Sequence, residues 1–371
     1  MTTMTLILFV LGFVLLVVGG ELLVRGASSL AEALGIPPLI VGLTVVAFGT
    51  SAPEIAVLLK SAFSGQSGLV VGNVVGSNIA NVLLILGFSA MVAPLVVSRR
   101  IIFIEVPLMI AISILMLLLS LDGQLSRFDG VILFSGFLIH LAFMIREQRR
   151  AATTGETLPA EPETSENEIS DRKRTPWAKN GLLVAAGLVV LVLGSEWLVN
   201  GAVAMARALG VSELVLGLTI VAIGTSLPEM ATSIIAGLRG QRDIAVGNVI
   251  GSNIFNILSG LGLTALIAPR GIEVSTGALQ FDIPVMVATA VACLPIFFIG
   301  HRIARWEGGL FFAYYVAYTI YLVMTATHHQ AAAQFRLVML WFIMPLTILT
   351  VLIFLYRTLR DNKRQTVLSE S

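Results

Sequence analysis

Two glutamates stand deep inside long apolar runs: Glu54 closes GLTVVAFGTSAPE (residues 42–54) and Glu229 closes GLTIVAIGTSLPE (residues 217–229). A carboxylate at the bilayer centre costs about 3 kcal/mol unless it is neutralised, so an acid placed there is a functional candidate by default. Each follows a proline by one residue, Pro53 and Pro228. A proline inside a helix frees the carbonyl four residues earlier, here Gly49 or Gly224, and strains the turn holding Thr50-Ser51 or Thr225-Ser226. In hydrocarbon a freed carbonyl needs a partner, and a desolvated cation is one. Carbonyl, hydroxyl and carboxylate oxygens together make hard-cation chemistry of the calcium kind, with roughly six to eight oxygens around the ion.

A second set of polar residues accompanies each acid. Asn73, Ser77 and Asn81 are spaced by four, and so are Asn248, Ser252 and Asn256; that spacing puts each trio on one helix face. Amides and hydroxyls on an apolar helix need partners, and ion binding or an interhelical network would supply them. The neighbouring stripe Gly72, Gly76, Ala80 is explained by packing alone, because small residues let helices approach closely. Glu21 and Glu196, followed at a distance of four by Arg25 and Asn200, read as helix-surface residues. Glu105 and Asp282, each two residues before a proline, either line an ion access path or snorkel. His140, Cys293 and His328-His329 read as bystanders. No Ser-His-Asp set, metalloprotease helix motif or phosphate-binding glycine loop is present, so the chain reads as a non-enzyme with no cofactor.

Membrane helices must position these groups. Of 371 residues 57% are hydrophobic and 12% charged, and the net charge is +1; soluble domains carry about 25% charged residues. Neutral charge argues against nucleic-acid binding, and one cysteine excludes an internal disulfide or a multi-cysteine metal cluster. Eleven segments long enough to span a bilayer lie near 4–30, 37–60, 67–93, 101–121, 128–146, 180–206, 213–237, 243–268, 280–299, 307–326 and 336–356. With alternating spans, 18 of the 23 Lys and Arg residues fall on one side. The positive-inside rule then places the N-terminus outside and the C-terminus in the cytoplasm. Residues 147–179, rich in Thr, Glu and Pro, read as a disordered cytoplasmic linker.

The chain also repeats itself. At a shift of 175 residues, 42–54 meets 217–229 with 10 identities in 13, and 72–87 meets 247–262 with 11 in 16. The register slips by two at Glu105/Asp282 and by three at Asp129/Glu307. The expected organisation is a first five-helix repeat over 1–146, the linker, a second repeat over 180–326, and an extra helix with a basic tail over 327–371. Five is odd, so the second copy crosses the membrane in the opposite sense. The fold class is an all-α polytopic membrane protein of about eleven helices, with inverted repeats whose binding site is expected near the midplane at their interface.

GTSAPE and GTSLPE, each followed by GNVxGSN, closely resemble the alpha repeats of the cation/calcium antiporter superfamily, with the best match to bacterial sodium/calcium exchangers. The resemblance covers about residues 4–326. It implies exchange of cytoplasmic calcium for external sodium by alternating access, in a plasma (inner) membrane of bacterial type, with those ions and lipid as partners and no obligate protein partner. By matching position it implies as ligands the Ala47 carbonyl, Thr50, Ser51, Glu54, Ser77 and Asn81. From the second repeat it implies Ala222, Thr225, Ser226, Glu229, Ser252 and Asn256. Spans 1 and 6 would form the sliding pair. Several such exchangers have an aspartate where Asn256 stands; here the site holds two acids, which neutralise one calcium but hold a third sodium less readily. Proton/calcium antiport and potassium-dependent exchange therefore remain open beside sodium/calcium exchange. A cation channel fits less well, because an inverted repeat provides no oligomeric filter.

Overall fold

A computed structural model describes residues 3–34, 38–154, 177–208, 222–298, 300–327, 329–338 and 352. The described chain is almost entirely helical. Its helices are α1 (Thr3–Leu34), α2 (Pro38–Thr50), α3 (Ala52–Phe63), α4 (Ser67–Val92), α5 (Ile101–Leu119), α6 (Arg127–Thr154), α7 (Trp177–Ala208), α8 (Ala222–Gly224), α9 (Leu227–Leu238), α10 (Arg242–Ile267), α11 (Ala278–Phe298), α12 (Arg305–Ala326) and α13 (Ala332–Val338). Eight of these are long and apolar enough to cross a membrane, and α2 with α3 makes a ninth span bent by 42°. The bend falls at Ser51, with Pro53 in the first turn of α3, where a proline nitrogen needs no helical partner.

Nine of the eleven expected spans are found where hydropathy placed them. Of the expected seventh, the second half is α8 and α9, and residues 209–221 lie outside the described residues. The expected eleventh also lies outside them, apart from 336–338 and 352. One expectation is corrected. Both ends of the 147–179 linker are helical, because α6 runs on to Thr154 and α7 starts at Trp177. Glu147, Gln148, Arg149, Arg150, Ala151 and Ala152 are good helix formers and carry α6 beyond its apolar part. The remainder, 155–176, lies outside the described residues.

The helices are not equivalent. In α4 and α10, 78% and 83% of the apolar window is buried in protein, against 33% in α1, 22% in α6 and 6% in α12. The first two form the centre, and α1, α6 and α12 keep wide apolar faces for lipid. Isolated apolar helices gain nothing from hydrophobic burial inside a bilayer, so close packing must hold them. Helices α1 and α7 pack antiparallel through glycines spaced by seven: Gly12, Gly19 and Gly26 on one, Gly187, Gly194 and Gly201 on the other. A methyl group at Gly19 would stand 2.7 Å from the Leu191 nitrogen, and one at Gly194 would stand 2.8 Å from the Leu16 nitrogen. Both backbones therefore need hydrogen at these positions.

Two short antiparallel ladders expose the inverted relation. Strand β1 (Leu95–Val96) pairs with β4 (Arg302–Ile303), and β2 (Gln124–Leu125) pairs with β3 (Ile272–Glu273). Each ladder joins a loop of one half to a loop of the other, and α5 runs from β1 to β2. A helix of that length spans about 28 Å, so the ladders close opposite ends of the bundle. The backbone repeats in detail as well. Wide π turns occur at Ala80–Leu86 and Asn256–Leu261, and again at Ile101–Glu105 and Ala278–Asp282.

Candidate cation site

The site forms where the α2–α3 break meets α9 and α10, and where α4 crosses α10. Glu54 and Glu229 each sit in the first turn of the helix that follows a break, and both are 1% exposed. Ser51, in the turn that introduces Glu54, donates its hydroxyl to Glu229 Oε1 at 3.2 Å. Thr50 Oγ1 lies 3.1 Å from Asn248 Oδ1, 3.1 Å from the Val46 carbonyl and 3.3 Å from the Ala47 carbonyl. Ser226 reaches Ser77 Oγ at 3.5 Å.

Several oxygens here have no hydrogen-bond donor although they are buried. They are both carboxylate oxygens of Glu54, Glu229 Oε2, Asn81 Oδ1, Asn256 Oδ1, Ser252 Oγ and Thr225 Oγ1. An unpartnered buried polar atom costs about 1–3 kcal/mol, more when charged. Acceptor oxygens gathered around two carboxylates have the chemistry to hold a cation. Among the described residues no group of three or more His, Cys, Asp or Glu comes together, so the negative charge of the site is that of two acids.

Of the residues named from sequence, the structure joins Ser51 to Glu229 and Ser226 to Ser77 by hydrogen bonds between the two halves. Thr50, Ser51, Glu54, Ser77, Asn81, Ser226, Glu229, Ser252 and Asn256 are all buried, and Thr225 lies in the same break as Ser226. Ala47 is buried one turn before Ser51, and its carbonyl accepts the Ser51 N–H at 3.0 Å. The backbone of Ala222 opens α8, three residues before Thr225. The Gly224 carbonyl accepts the Ser195 hydroxyl of α7 at 2.6 Å, so a protein donor meets one of the carbonyls that the sequence leaves in need of a partner. Asn248 is likewise structural. Its amide donates to Ser233 Oγ at 3.0 Å and to the Glu229 carbonyl at 3.3 Å, binding α10 to α9.

Sequence reasoning missed two groups. His140 has the look of a bystander in the sequence, yet its Nε2 is 3.8 Å from Glu105 Oε2, and Arg100 Nε holds the other oxygen at 3.0 Å. Glu105 is therefore a fully buried ion-pair partner, and its repeat counterpart Asp282 accepts the Tyr318 hydroxyl at 3.1 Å. His140 and Tyr318 occupy corresponding positions in α6 and α12, so the repeat itself carried the signal. Asn78 and Asn253 form the second group, and each lies one residue off the face defined by the four-residue spacing.

With this geometry in hand, the profile of the sodium/calcium exchanger protein family matches residues 4–146 and 179–324. The chain belongs to that family. It is thus one of the cation/calcium antiporters of bacterial type, a family of transporters and not of enzymes. The inner membrane protein YrbG of Escherichia coli (strain K12) is 40% identical over 77% of this chain and 87% of its own length. The sodium/calcium exchanger MaX1 of Methanosarcina acetivorans is 31% identical over 87% of this chain and 99% of its own. A solved structure of the sodium-calcium exchanger NCX_Mj has a TM-score of 0.71 at 30% identity, covering 85% of this chain and 98% of that one.

Proposed function

We propose that this family member exchanges calcium for sodium, by competition of the two ions for one cage built around Glu54 and Glu229. The observation that carries the reading is the set of buried acceptor oxygens without donors on Glu54, Glu229, Asn81, Asn256, Ser252 and Thr225. The Ala47 and Ala222 carbonyls and the hydroxyls of Thr50, Ser51, Ser77 and Ser226 complete the proposed ligand set. Two carboxylates match the charge of one calcium, and an ion leaving the cage exposes them to a cost that the next ion relieves. Hydroxyl and amide oxygens suit both ions, since neither requires a soft ligand. No cofactor is needed.

The five-helix units 1–146 and 180–326 form the two halves around the cage, 147–179 connects them, and 327–371 is an appended helix with a basic tail. The distribution of Lys and Arg supports an external N-terminus and a cytoplasmic C-terminus in the inner membrane. Calcium uptake into inside-out vesicles tests the function, with imposed sodium or proton gradients and with or without potassium. A sodium gradient alone is expected to drive uptake. Uptake driven by a proton gradient in sodium-free medium would replace this reading with proton/calcium antiport, the alternative that a two-acid site leaves open. Asn256→Asp, which adds a third acid, is expected to shift the sodium dependence, and an unchanged sodium titration counts against Asn256 as a ligand.

A further inference from the structure

The GSN segments of α4 and α10 contain two asparagines, Asn78 and Asn253, that belong to neither proposed ligand set and are 3% and 2% exposed. Asn81 Nδ2 donates to Asn253 Oδ1 at 2.9 Å, and Asn253 Nδ2 donates to Met109 Sδ at 3.4 Å and to the Asn78 carbonyl at 3.3 Å. The other half repeats the chain of contacts. Asn256 Nδ2 donates to Asn78 Oδ1 at 3.4 Å, and Asn78 Nδ2 donates to Met286 Sδ at 3.6 Å. Each string runs from one half of the molecule, through an asparagine of the other, and back to a methionine of the half it began in, Met109 of α5 or Met286 of α11.

From this arrangement we infer that Asn78 and Asn253 are positioning residues for ion binding: each accepts the amide N–H of a ligand asparagine across the repeat interface and so aims its oxygen at the cation. An asparagine amide has a donor end and an acceptor end of nearly equal size, and only its contacts decide which points where. With the Nδ2 groups of Asn81 and Asn256 engaged, their Oδ1 atoms are left without donors, ready for a cation. A flipped Asn256 would set oxygen against Asn78 Oδ1 and turn N–H groups toward the carboxylate cage. The methionines fix the orientation one step further out. A thioether sulfur is a weak acceptor and no donor, so the Asn78 and Asn253 amides must turn N–H toward it and oxygen toward Asn256 and Asn81. The inference rests on the proposed calcium site and adds what keeps its neutral ligands in register.

The test is a double-mutant cycle on the purified full-length protein, read as the half-saturating calcium concentration for uptake in proteoliposomes, with maximal rate and monodispersity recorded alongside. Asn78→Ala is expected to raise half-saturation about five- to tenfold, the value of one well-placed hydrogen bond or ligand. Asn256→Ala does the same, and the double variant is no worse than Asn256→Ala alone. Asn78→Asp keeps an acceptor for Asn256 and is expected to bind calcium at least as well as the wild type. The same cycle on Asn253 and Asn81 runs independently, should either alanine variant fail to fold. Multiplicative effects in the double variants, or equal weakening by Asn78→Ala and Asn78→Asp, would overturn the positioning role. If calcium uptake instead survives Glu54→Gln with Glu229→Gln, the site itself is misassigned, an outcome separate from failure of the cycle.

Discussion

The two halves of this protein carry nearly the same motif in two different states. In the first half, the GTS turn is bound into the second: Thr50 meets Asn248 and Ser51 donates to Glu229. In the second half, the matching contacts are missing. Thr225 Oγ1 and Asn73 Oδ1, the counterparts of Thr50 Oγ1 and Asn248 Oδ1, have no partner, and neither do the oxygens of Glu54. Ser226 turns instead to Ser77. Sequence cannot be the cause, since the turns are GTSAPE and GTSLPE. The difference is conformational: inverted repeats are related by a pseudo-twofold axis, and around the acids the contacts of the two halves depart from it. The halves are alike in the glycine contacts between α1 and α7 and the two asparagine–methionine strings. The turns around the acids are one place where the halves differ; another is the pair Glu105, held by Arg100, and Asp282, which bonds Tyr318.

The symmetric part gives the largest expected effect. Gly19→Ala and Gly194→Ala each force a methyl group onto a facing backbone, and each should cost about 3 kcal/mol by overpacking. Chemical unfolding in detergent measures it, and similar values for the two are expected because Gly19 and Gly194 hold corresponding positions in the two halves and each faces the other helix's backbone. A clear inequality would show that the α1–α7 pair shares the asymmetry of the turns. Ser51→Ala removes a hydrogen bond to a buried carboxylate and should cost about 2 kcal/mol in ion-free buffer. Ser226→Ala, whose contact is long and between neutral groups, should cost roughly 0.5 kcal/mol or less. Equal losses would break the comparison. The smallest and sharpest contrast is Thr50→Val against Thr225→Val. The first loses a partner and should cost about 1 kcal/mol, whereas the second replaces an unpartnered hydroxyl with a methyl group and should be neutral or slightly stabilising.

Much of this was legible before the fold. Runs of apolar residues located nine described spans, and the shift of 175 residues paired Glu54 with Glu229 and Asn81 with Asn256. Pro53 and Pro228 marked the breaks in the helices. What the sequence withheld depended on distance along the chain or on side-chain orientation. Nothing local to His140 points to Glu105, and the partner of the Gly224 carbonyl, Ser195, is glycine at the corresponding position of the first half, Gly20. Asn78 and Asn253 lay off the expected face. That expectation assumes an uninterrupted 3.6-residue helix, and the π turns beginning at Ala80 and Asn256 alter the period where the proposed ligands Asn81 and Asn256 stand. The glycines at intervals of seven in α1 and α7 were plain in the sequence, but only the partner helix gives them meaning. The extent of α6 beyond Arg146 was missed because composition was weighed over the whole linker and not over its first eight residues.

Equilibrium binding of radiolabelled calcium to the purified protein, titrated with sodium, tests the central claim most directly. The account predicts saturable calcium binding that sodium displaces and that Glu54→Gln with Glu229→Gln abolishes, with the double variant still monodisperse. Calcium binding of unchanged affinity in that variant, or binding that sodium at any concentration leaves in place, would contradict it.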